Sequence, residues 1–344
     1  MPRILFDARP LGEHSGVSRV AARVLAYIHA TRPDAGITTI TTGWKKTNAS
    51  IHLRLPNKLW SLFCLLGLVS LDRAAAWKAG AFDELILPNV GFVGTPRVPY
   101  TVVVHDLSFL IEPRWFSLKM RAWHHAVRAR RLIRQAAHVW CVSQTTAEDV
   151  KRLLDVPTER VTVLPADVVY GKQEPFGGAA ELRLASLVVK QSSHPQKALT
   201  SRTQHPFILA FAGSVRKNIG TAIAAVERVR QDKRYRDLRL VIVGEIPARR
   251  ALFGSHQILP DWIIVFPRVS DNELQGLYTN ASALLYPSWY EGFGLPLHEA
   301  AAFGIPLLAS AHGALPETAP PGTILIPPAK PHLWATMLKD VLTQ

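Results

Sequence analysis

The 344-residue chain has only two cysteines, Cys64 and Cys141, far apart and in apolar surroundings. Two isolated thiols build neither a disulfide framework nor a zinc site, which suits a reducing compartment. No Asp-x-Asp pair occurs anywhere, and no His or Cys cluster has metal-ligand spacing, so no obligatory metal or other cofactor is expected. Long apolar runs are also missing. The opening Met1-Pro2-Arg3-Ile4-Leu5-Phe6-Asp7 is too short for a secretory signal and reads as a first strand, which places the protein in the cytoplasm. The most apolar stretch, Leu59 to Leu71, is interrupted by Ser61, Gly67 and Ser70 and falls short of the roughly 20 residues that span a bilayer. Two readings of it stay open. It is either a buried core helix or an interfacial segment, with Trp60 and Phe63 between Lys58 and Arg73.

Acidic residues are scarce as well: 26 against 40 Lys and Arg, a formal charge of +14. Such a balance favours an anionic partner, whether nucleic acid, acidic lipid or a phosphorylated substrate. The chain carries no recognition helix, zinc finger or aromatic RNA-binding strand pattern, so nucleic acid is not expected. The deficit is sharpest from Lys119 to Arg134, where Lys119, Arg121, Arg128, Arg130, Arg131 and Arg134 interleave with Trp123, Val127 and Leu132 and no carboxylate occurs. This reads as one basic helix. Without a Glu at i,i+4 to pair with, its face suits anionic lipid or a lipid diphosphate, carried by Lys119, Arg121, Trp123, Arg128 and Arg131.

What is present is alternation. Strand-like runs at Ile4–Phe6, Ile37–Thr41, Thr101–His105 and His138–Val142 are separated by helical patterns such as Val17–Ala30. The pattern pauses from Tyr170 to about His205, a stretch with paired glycines and serines. It resumes with Phe207–Phe211, a helix after Asn218, Leu238–Val243, Trp262–Phe266, a helix over Asp271–Tyr278, Ala283–Tyr286 and Ile305–Ala309. The expectation is two α/β domains, residues 1–170 and 206–344, joined by a linker at 171–205. Ligands of such parallel sheets bind beyond the carboxyl ends of the strands.

The most informative segment follows a strand and opens a helix: Tyr286-Pro-Ser-Trp-Tyr-Glu-Gly-Phe-Gly-Leu-Pro-Leu-His-Glu299-Ala300. Gly292, Gly294 and Pro296 make one continuous helix implausible, with Pro296 suited to a first helical position. Glu291 then sits in a glycine-lined turn and Glu299 one turn into the helix. Backbone donors there suit a diphosphate, and the carboxylates suit sugar hydroxyls. A surface turn and an ordinary helix-start Glu would look the same on composition alone.

With Glu291 and Glu299 in this setting, the segment resembles the paired-glutamate signature of retaining glycosyltransferases of family 4 (glycosyl transferases group 1). Other blocks agree in order. Gly213-Ser-Val-Arg216-Lys217-Asn218 after a strand is similar to the family's basic phosphate-binding turn, and Asp7 to Arg19, with Gly16, to its N-terminal glycine loop. His105-Asp106, ending a buried strand, matches the family's His-Asp pair, where the His lies near the transferred sugar. Val269 to Leu274 is also similar, but Ser270 or Asp271 there reads as a helix cap.

The resemblance implies a GT-B architecture, two Rossmann-like domains with parallel sheets facing across a cleft. The donor would lie mainly in the C-terminal domain and the acceptor in the N-terminal one. It implies retention of anomeric configuration, with Glu291, His105, Arg216 and Lys217 as catalytic residues. Gly16, Gly213, Arg216, Lys217, Gly292, Phe293, Gly294, Leu295 and Glu299 would hold the donor. Arg216 and Lys217 would neutralise the leaving diphosphate together with the helix start beside Gly294, Glu291 would hold the sugar and Glu299 the ribose. Glu291 as nucleophile and same-face substitution through an ion pair both stay open. Likeness to mannosyltransferases of polysaccharide assembly puts GDP-mannose ahead of a UDP-sugar as donor. The acceptor would be a polyprenyl-diphosphate-linked glycan at an anionic inner membrane face. Two rivals of other classes are a non-catalytic lipid- or nucleic-acid-binding protein and a glycoside hydrolase using both glutamates. The helix pattern Leu333–Leu342 ends near Gln344, whereas the family commonly continues into a segment crossing back onto the N-terminal domain.

Overall fold

The computed structural model describes residues 1–12, 15–44, 47–171, 206–247 and 259–343. The linker expected at 171–205 lies, beyond residue 171, outside the described residues. Two compact units result, one built on residues 1–113 and 117–171 and the other on residues 206–343.

In the first unit the strands are β1 (Arg3–Asp7), β2 (Gly36–Thr42), β3 (Ile51–Leu53), β4 (Glu84–Leu87), β5 (Tyr100–Val104), β6 (His138–Cys141) and β7 (Val161–Val163). They form a parallel sheet of order β3-β2-β1-β4-β5-β6-β7. The second unit has β8 (Phe207–Phe211), β9 (Arg239–Val243), β10 (Ile263–Phe266), β11 (Ala283–Tyr286), β12 (Leu307–Ser310) and β13 (Ile324–Ile326), ordered β10-β9-β8-β11-β12-β13. Both orders are those of the doubly wound dinucleotide-binding fold. Central strands are buried on both faces, which is why β5 (YTVVV) and β11 (ALLY) read as continuous apolar runs without alternation. The 3-residue strands β3, β7 and β13 carry too few residues to stand out in the sequence, and only their neighbours define them.

Local chemistry sets the helices. Ser143 caps Gln144–Leu154 by accepting from the Thr146 N–H at 3.1 Å, and Ala147, Val150 and Leu154 then fall on one buried face. Ser270, not Asp271, caps Asp271–Asn280, in a full capping box with Glu273. The last helix, Pro331–Leu342, buries Trp334 and Leu338 beside Ala222 and Val226 of helix Ile219–Arg230. The Trp334 indole donates to the Pro327 carbonyl at 3.0 Å.

Two expectations need correction. The basic stretch is two helices, Leu118–Ala126 and Ala129–Gln135, separated by Arg128 in the left-handed region at φ 52°. Of its expected surface residues Lys119, Arg121, Arg128 and Arg131 are exposed, but Trp123 is half-buried with its ring edge-on to Phe92 at 6.3 Å. The stretch Leu59 to Leu71 is not a buried core helix either. It divides into helix Asn57–Leu65, a turn through Gly67 and the start of helix Leu71–Ala79. Trp60 and Cys64 are buried, while Leu59, Leu62, Leu65, Leu66 and Leu68 are exposed.

Candidate active site

In the second sheet β8 and β11 are neighbours, although β9 and β10 lie between them in sequence. The connections leaving these two strands run to opposite sides, which opens a crevice at their carboxyl ends. The loop after β8 begins at Gly213 (φ 110°), whose N–H donates to Glu245 O at 2.9 Å. A tight turn at Val215–Lys217 follows and ends on Asn218 in the left-handed region, which Asn tolerates better than most residues. The Asn218 amide donates to Pro287 O and Pro328 O, each at 3.0 Å, tying this loop to those after β11 and β13. The Trp289 N–H donates to Arg216 O at 2.8 Å, so the first and second halves of the crevice share backbone hydrogen bonds.

These constraints bring Glu291, Arg216 and Lys217 together. The Glu291 carboxylate is buried, with the Lys217 ammonium 2.8 Å from Oε1 and the Arg216 guanidinium 3.2 Å from Oε2. Arg216 also donates to Tyr290 O at 3.0 Å. Burial by itself pushes the Glu291 carboxyl up, but Arg216 and Lys217 outweigh it and hold it at about 2. Lys217 further donates to the Tyr286 hydroxyl and lies 4.4 Å from that ring's centroid. Tyr286 stays a neutral phenol, because burial and then the Glu291 charge raise its pKa.

The backbone of Glu291 is clamped from the far side. Gly313 sits at φ 60°, and a Cβ there would come within 2.9 Å of both Glu291 N and Glu291 O. The next residue, Ala314, donates its N–H to Glu291 O at 3.0 Å. Gly294, at φ 98°, would place a Cβ 2.6 Å from Leu315 Cδ2, so the turn into helix Leu295–Ala301 needs glycine for both conformation and space. Pro296 lies in that helix's first turn, and the buried Glu299 on its inner face accepts from the Tyr278 hydroxyl at 2.9 Å through Oε2. Phe293 stacks on His298 with centroids 5.0 Å apart, and Gly292 is buried between Glu291 and Phe293. Leu295, half-buried, completes the turn. The helix has only 7 residues, so the positive groups of the crevice are the Arg216 and Lys217 side chains rather than a long helix dipole, and the ionised Glu291 offsets one of them.

The corresponding point of the first sheet lies between β1 and β4. Asp7 ends β1 and holds Arg9 through two contacts, at 2.8 Å to Nε and 2.7 Å to Nη2, while Nη1 donates to Phe92 O at 2.7 Å. His105 follows β5, and its Nε2 donates to Pro88 O at 2.9 Å, leaving Nδ1 as the acceptor. Burial lowers its pKa against the opposing influence of that bond and of Asp106, so the imidazole is neutral at pH 7. Gly16 opens helix Gly16–Thr31 one residue after its cap, Ser15, which accepts from the Ser18 N–H at 3.2 Å. Glu13 and His14 of the expected glycine loop lie outside the described residues.

The expected residues thus assemble in two groups: Gly213, Arg216, Lys217, Glu291 to Leu295 and Glu299 around the β8–β11 crevice, and Gly16 and His105 in the first unit. Sequence reading did not single out Tyr286, Tyr278, Gly313 or Arg9. The signal for the tyrosines was available, since a phenol at the end of a buried apolar strand or helix needs a partner. Gly313 had none, because its partner Glu291 is remote in the chain, while Arg9 pairs with the nearby Asp7 and its remote contact is the Phe92 carbonyl.

Among the described residues no group of three or more His, Cys, Asp or Glu is placed to hold a metal ion, and no helix is long and apolar enough to cross a membrane. Residues 65–167 match the glycosyl transferase 4-like domain, and residues 206–344 match the family of glycosyl transferases group 1. The chain is 28% identical over 266 residues to an MMP alpha-(1->4)-mannosyltransferase of Mycolicibacterium hassiacum, covering 72% of this chain and 58% of that one. It is 27% identical over 254 residues to O-antigen chain mannosyltransferase B of Escherichia coli, covering 71% and 62%. The chain therefore spans about three fifths of the length of these curated relatives. Sucrose-phosphate synthase from Thermosynechococcus elongatus shares the fold, with a TM-score of 0.67 at 17% identity over 100% of this chain and 90% of that one. The second unit thus matches the glycosyl transferases group 1 over its whole length, the first matches the glycosyl transferase 4-like domain over β4 to β7, and two doubly wound parallel sheets of this kind are the GT-B fold.

Proposed function

We propose that the protein transfers mannose from GDP-mannose, with retention of configuration, to a glycan acceptor carried on a lipid diphosphate during polysaccharide biosynthesis. The observation that carries the donor side is the Arg216–Lys217–Glu291 cluster at the carboxyl ends of β8 and β11. Two cations held in a half-buried crevice are suited to neutralise the negative charge that grows on a departing nucleoside diphosphate, the part an obligatory metal would otherwise play. Glu291, ionised at neutral pH, accepts from sugar hydroxyls, and Glu299, held by Tyr278, accepts from the ribose. In this reading the neutral His105 offers Nδ1 as a hydrogen-bond acceptor near the transferred sugar. Mannose is favoured because both relatives described above are mannosyltransferases by name. A UDP-sugar, glucose or N-acetylglucosamine, is the second donor reading.

The membrane side of the proposal is a peripheral association of the first unit with the anionic inner face of the cell membrane. Exposed Lys119, Arg121, Arg128 and Arg131 and the outward leucines of helix Asn57–Leu65 support it.

Thermal unfolding with GDP, UDP and their mannose and glucose conjugates tests the donor. A ligand at a hundred times its Kd stabilises the native state by about 2.7 kcal/mol, which a melting shift resolves easily. The GDP pair should shift the midpoint and the UDP pair should not. Stabilisation by UDP and UDP-glucose alone would replace the mannose reading, and release of free sugar without acceptor at the rate of transfer would make the enzyme a hydrolase.

A further inference from the structure

The first unit contains a cavity of about 700 Å³ whose place in the fold differs from that of His105. Tyr100 opens β5, and Ala136 and Ala137 precede β6, so the cavity lies toward the amino-terminal edge of the sheet. His105 follows the carboxyl end of β5. Arg97, Arg128, Arg131 and Arg160 line the cavity, and no acidic residue does. The space is within the range of small-ligand sites.

Its walls are fixed by bonds independent of any ligand. Gly94 (φ 73°) packs so closely on the preceding segment that a Cβ there would lie 2.1 Å from Val69 O. Leu71 N–H donates to Val93 O at 2.9 Å, Arg97 N–H to Asp72 Oδ2 at 2.8 Å, and the Tyr100 hydroxyl to Leu132 O at 2.7 Å. Arg160 Nη1 donates to Arg134 O and Ala136 O, and Arg131 Nε to Gln135, which orients both guanidinium groups while using only part of their five donors.

One rim residue of the cavity, Leu65, ends helix Asn57–Leu65. At about 100° per residue, Trp60 and Cys64 fall on the buried side, while Leu59, Leu62, Leu65 and Leu66 fall on the opposite side. Those leucines are 43–60% exposed, and Leu68 beyond them is 59% exposed. The same corner of the molecule therefore combines an outward apolar face with a cationic recess, flanked by exposed Lys58 and Arg73.

We propose that this cavity is a binding site for the phosphate headgroup of an anionic lipid, with the leucine face entering the acyl boundary beside it. An amphiphile with one phosphate and hydrocarbon chains matches both features at once, whereas a free phosphate ester would leave the leucines in water. The proposal rests on the membrane reading given above but is narrower, since it names the residues that discriminate a headgroup from a diffuse negative surface.

The test is co-sedimentation of the full chain with vesicles of phosphatidylcholine, alone or mixed with phosphatidylglycerol. The double variant Arg128→Gly, Arg131→Gln removes two cavity charges, and glycine suits the φ of 52° at position 128. The control Arg130→Gln, Arg134→Gln removes the same charge at exposed positions of helix Ala129–Gln135 that do not line the cavity. Binding to phosphatidylglycerol vesicles should fall roughly 30-fold in the cavity variant, from about five-fold per phosphate-facing charge, and less than about five-fold in the control. Equal losses would overturn the site and leave only diffuse adsorption to the membrane. No binding of the unaltered protein to phosphatidylglycerol vesicles would overturn the site and the membrane reading together. Leu62→Asp with Leu66→Asp, both surface changes, should abolish vesicle binding. If they do not, and soluble glycerol phosphate displaces the protein from vesicles, the site is one for free phosphate esters and the lipid assignment is wrong.

Discussion

Replacing Glu291 by Gln keeps the shape of the side chain and removes its charge, leaving Arg216 and Lys217 facing each other across a neutral amide. In the folded protein the carboxyl is held at about 2 against an ordinary value of 4.5, and about 2.5 units correspond to about 3 kcal/mol at pH 7. Because the folded value is the lower one, this contribution is fully present above about pH 4.5 and is lost as the pH falls through about 2. At pH 3 only about 1 kcal/mol of it should remain. For a unit of this size, about 3 kcal/mol lowers the unfolding midpoint by roughly 10 °C. Thermal unfolding of the wild type and Glu291→Gln, followed at pH 7 and pH 3, reads both numbers. The gap in midpoint should be large at pH 7 and shrink by more than half at pH 3. Equal midpoints at pH 7, or a gap that does not change with pH, would mean that the carboxylate is not paired with Arg216 and Lys217 in solution.

Lys217→Met removes one of the two cations of the crevice and should lower kcat for sugar transfer by roughly 10²- to 10³-fold while the protein stays folded, checked by steady-state kinetics beside circular dichroism. Tyr278→Phe takes away the 2.9 Å hydrogen bond to Glu299 and, with Glu299 holding the ribose as proposed, should raise KM for the donor roughly ten-fold with kcat little changed. Gly294→Ala imposes a left-handed φ on alanine and a 2.6 Å clash with Leu315, so it should destabilise the second unit by about 2 kcal/mol or more in denaturant unfolding. His105 is already neutral at pH 7, so the pH profile of kcat/KM should show no limb near 6.5 that disappears in His105→Gln.

Much of the candidate site could be read from one dimension because its parts are local. A strand, a glycine-rich turn and a helix start succeed one another from Tyr286 to Ala300, and the same is true of Phe207 to Asn218. Each block needs particular residue types at particular spacing, and so it leaves a pattern. The buried central strands β1, β5, β8 and β11 were equally legible, since a strand covered on both faces must be apolar throughout. The 3-residue strands β3, β7 and β13 were not, because what makes them strands is the backbone of their neighbours. The basic stretch shows the opposite failure: composition suggested one helix, but a single left-handed residue at Arg128 divides it, and sequence does not mark a non-glycine residue for that conformation.

By itself, then, the sequence determined the two-part α/β plan, the residue types of the glycine-rich turn after β11 and the cationic character of the chain, all of which follow from periodicity and charge. Tertiary structure alone decided that β8 and β11 lie side by side, and hence that Lys217 meets Tyr286 and Glu291 and that Gly313 closes on the Glu291 backbone. Those pairings are 69 or more positions apart for Lys217 and depend on the order of strands in the sheet. Buried charge acquires its low pKa only when such an order brings its partners within about 3 Å.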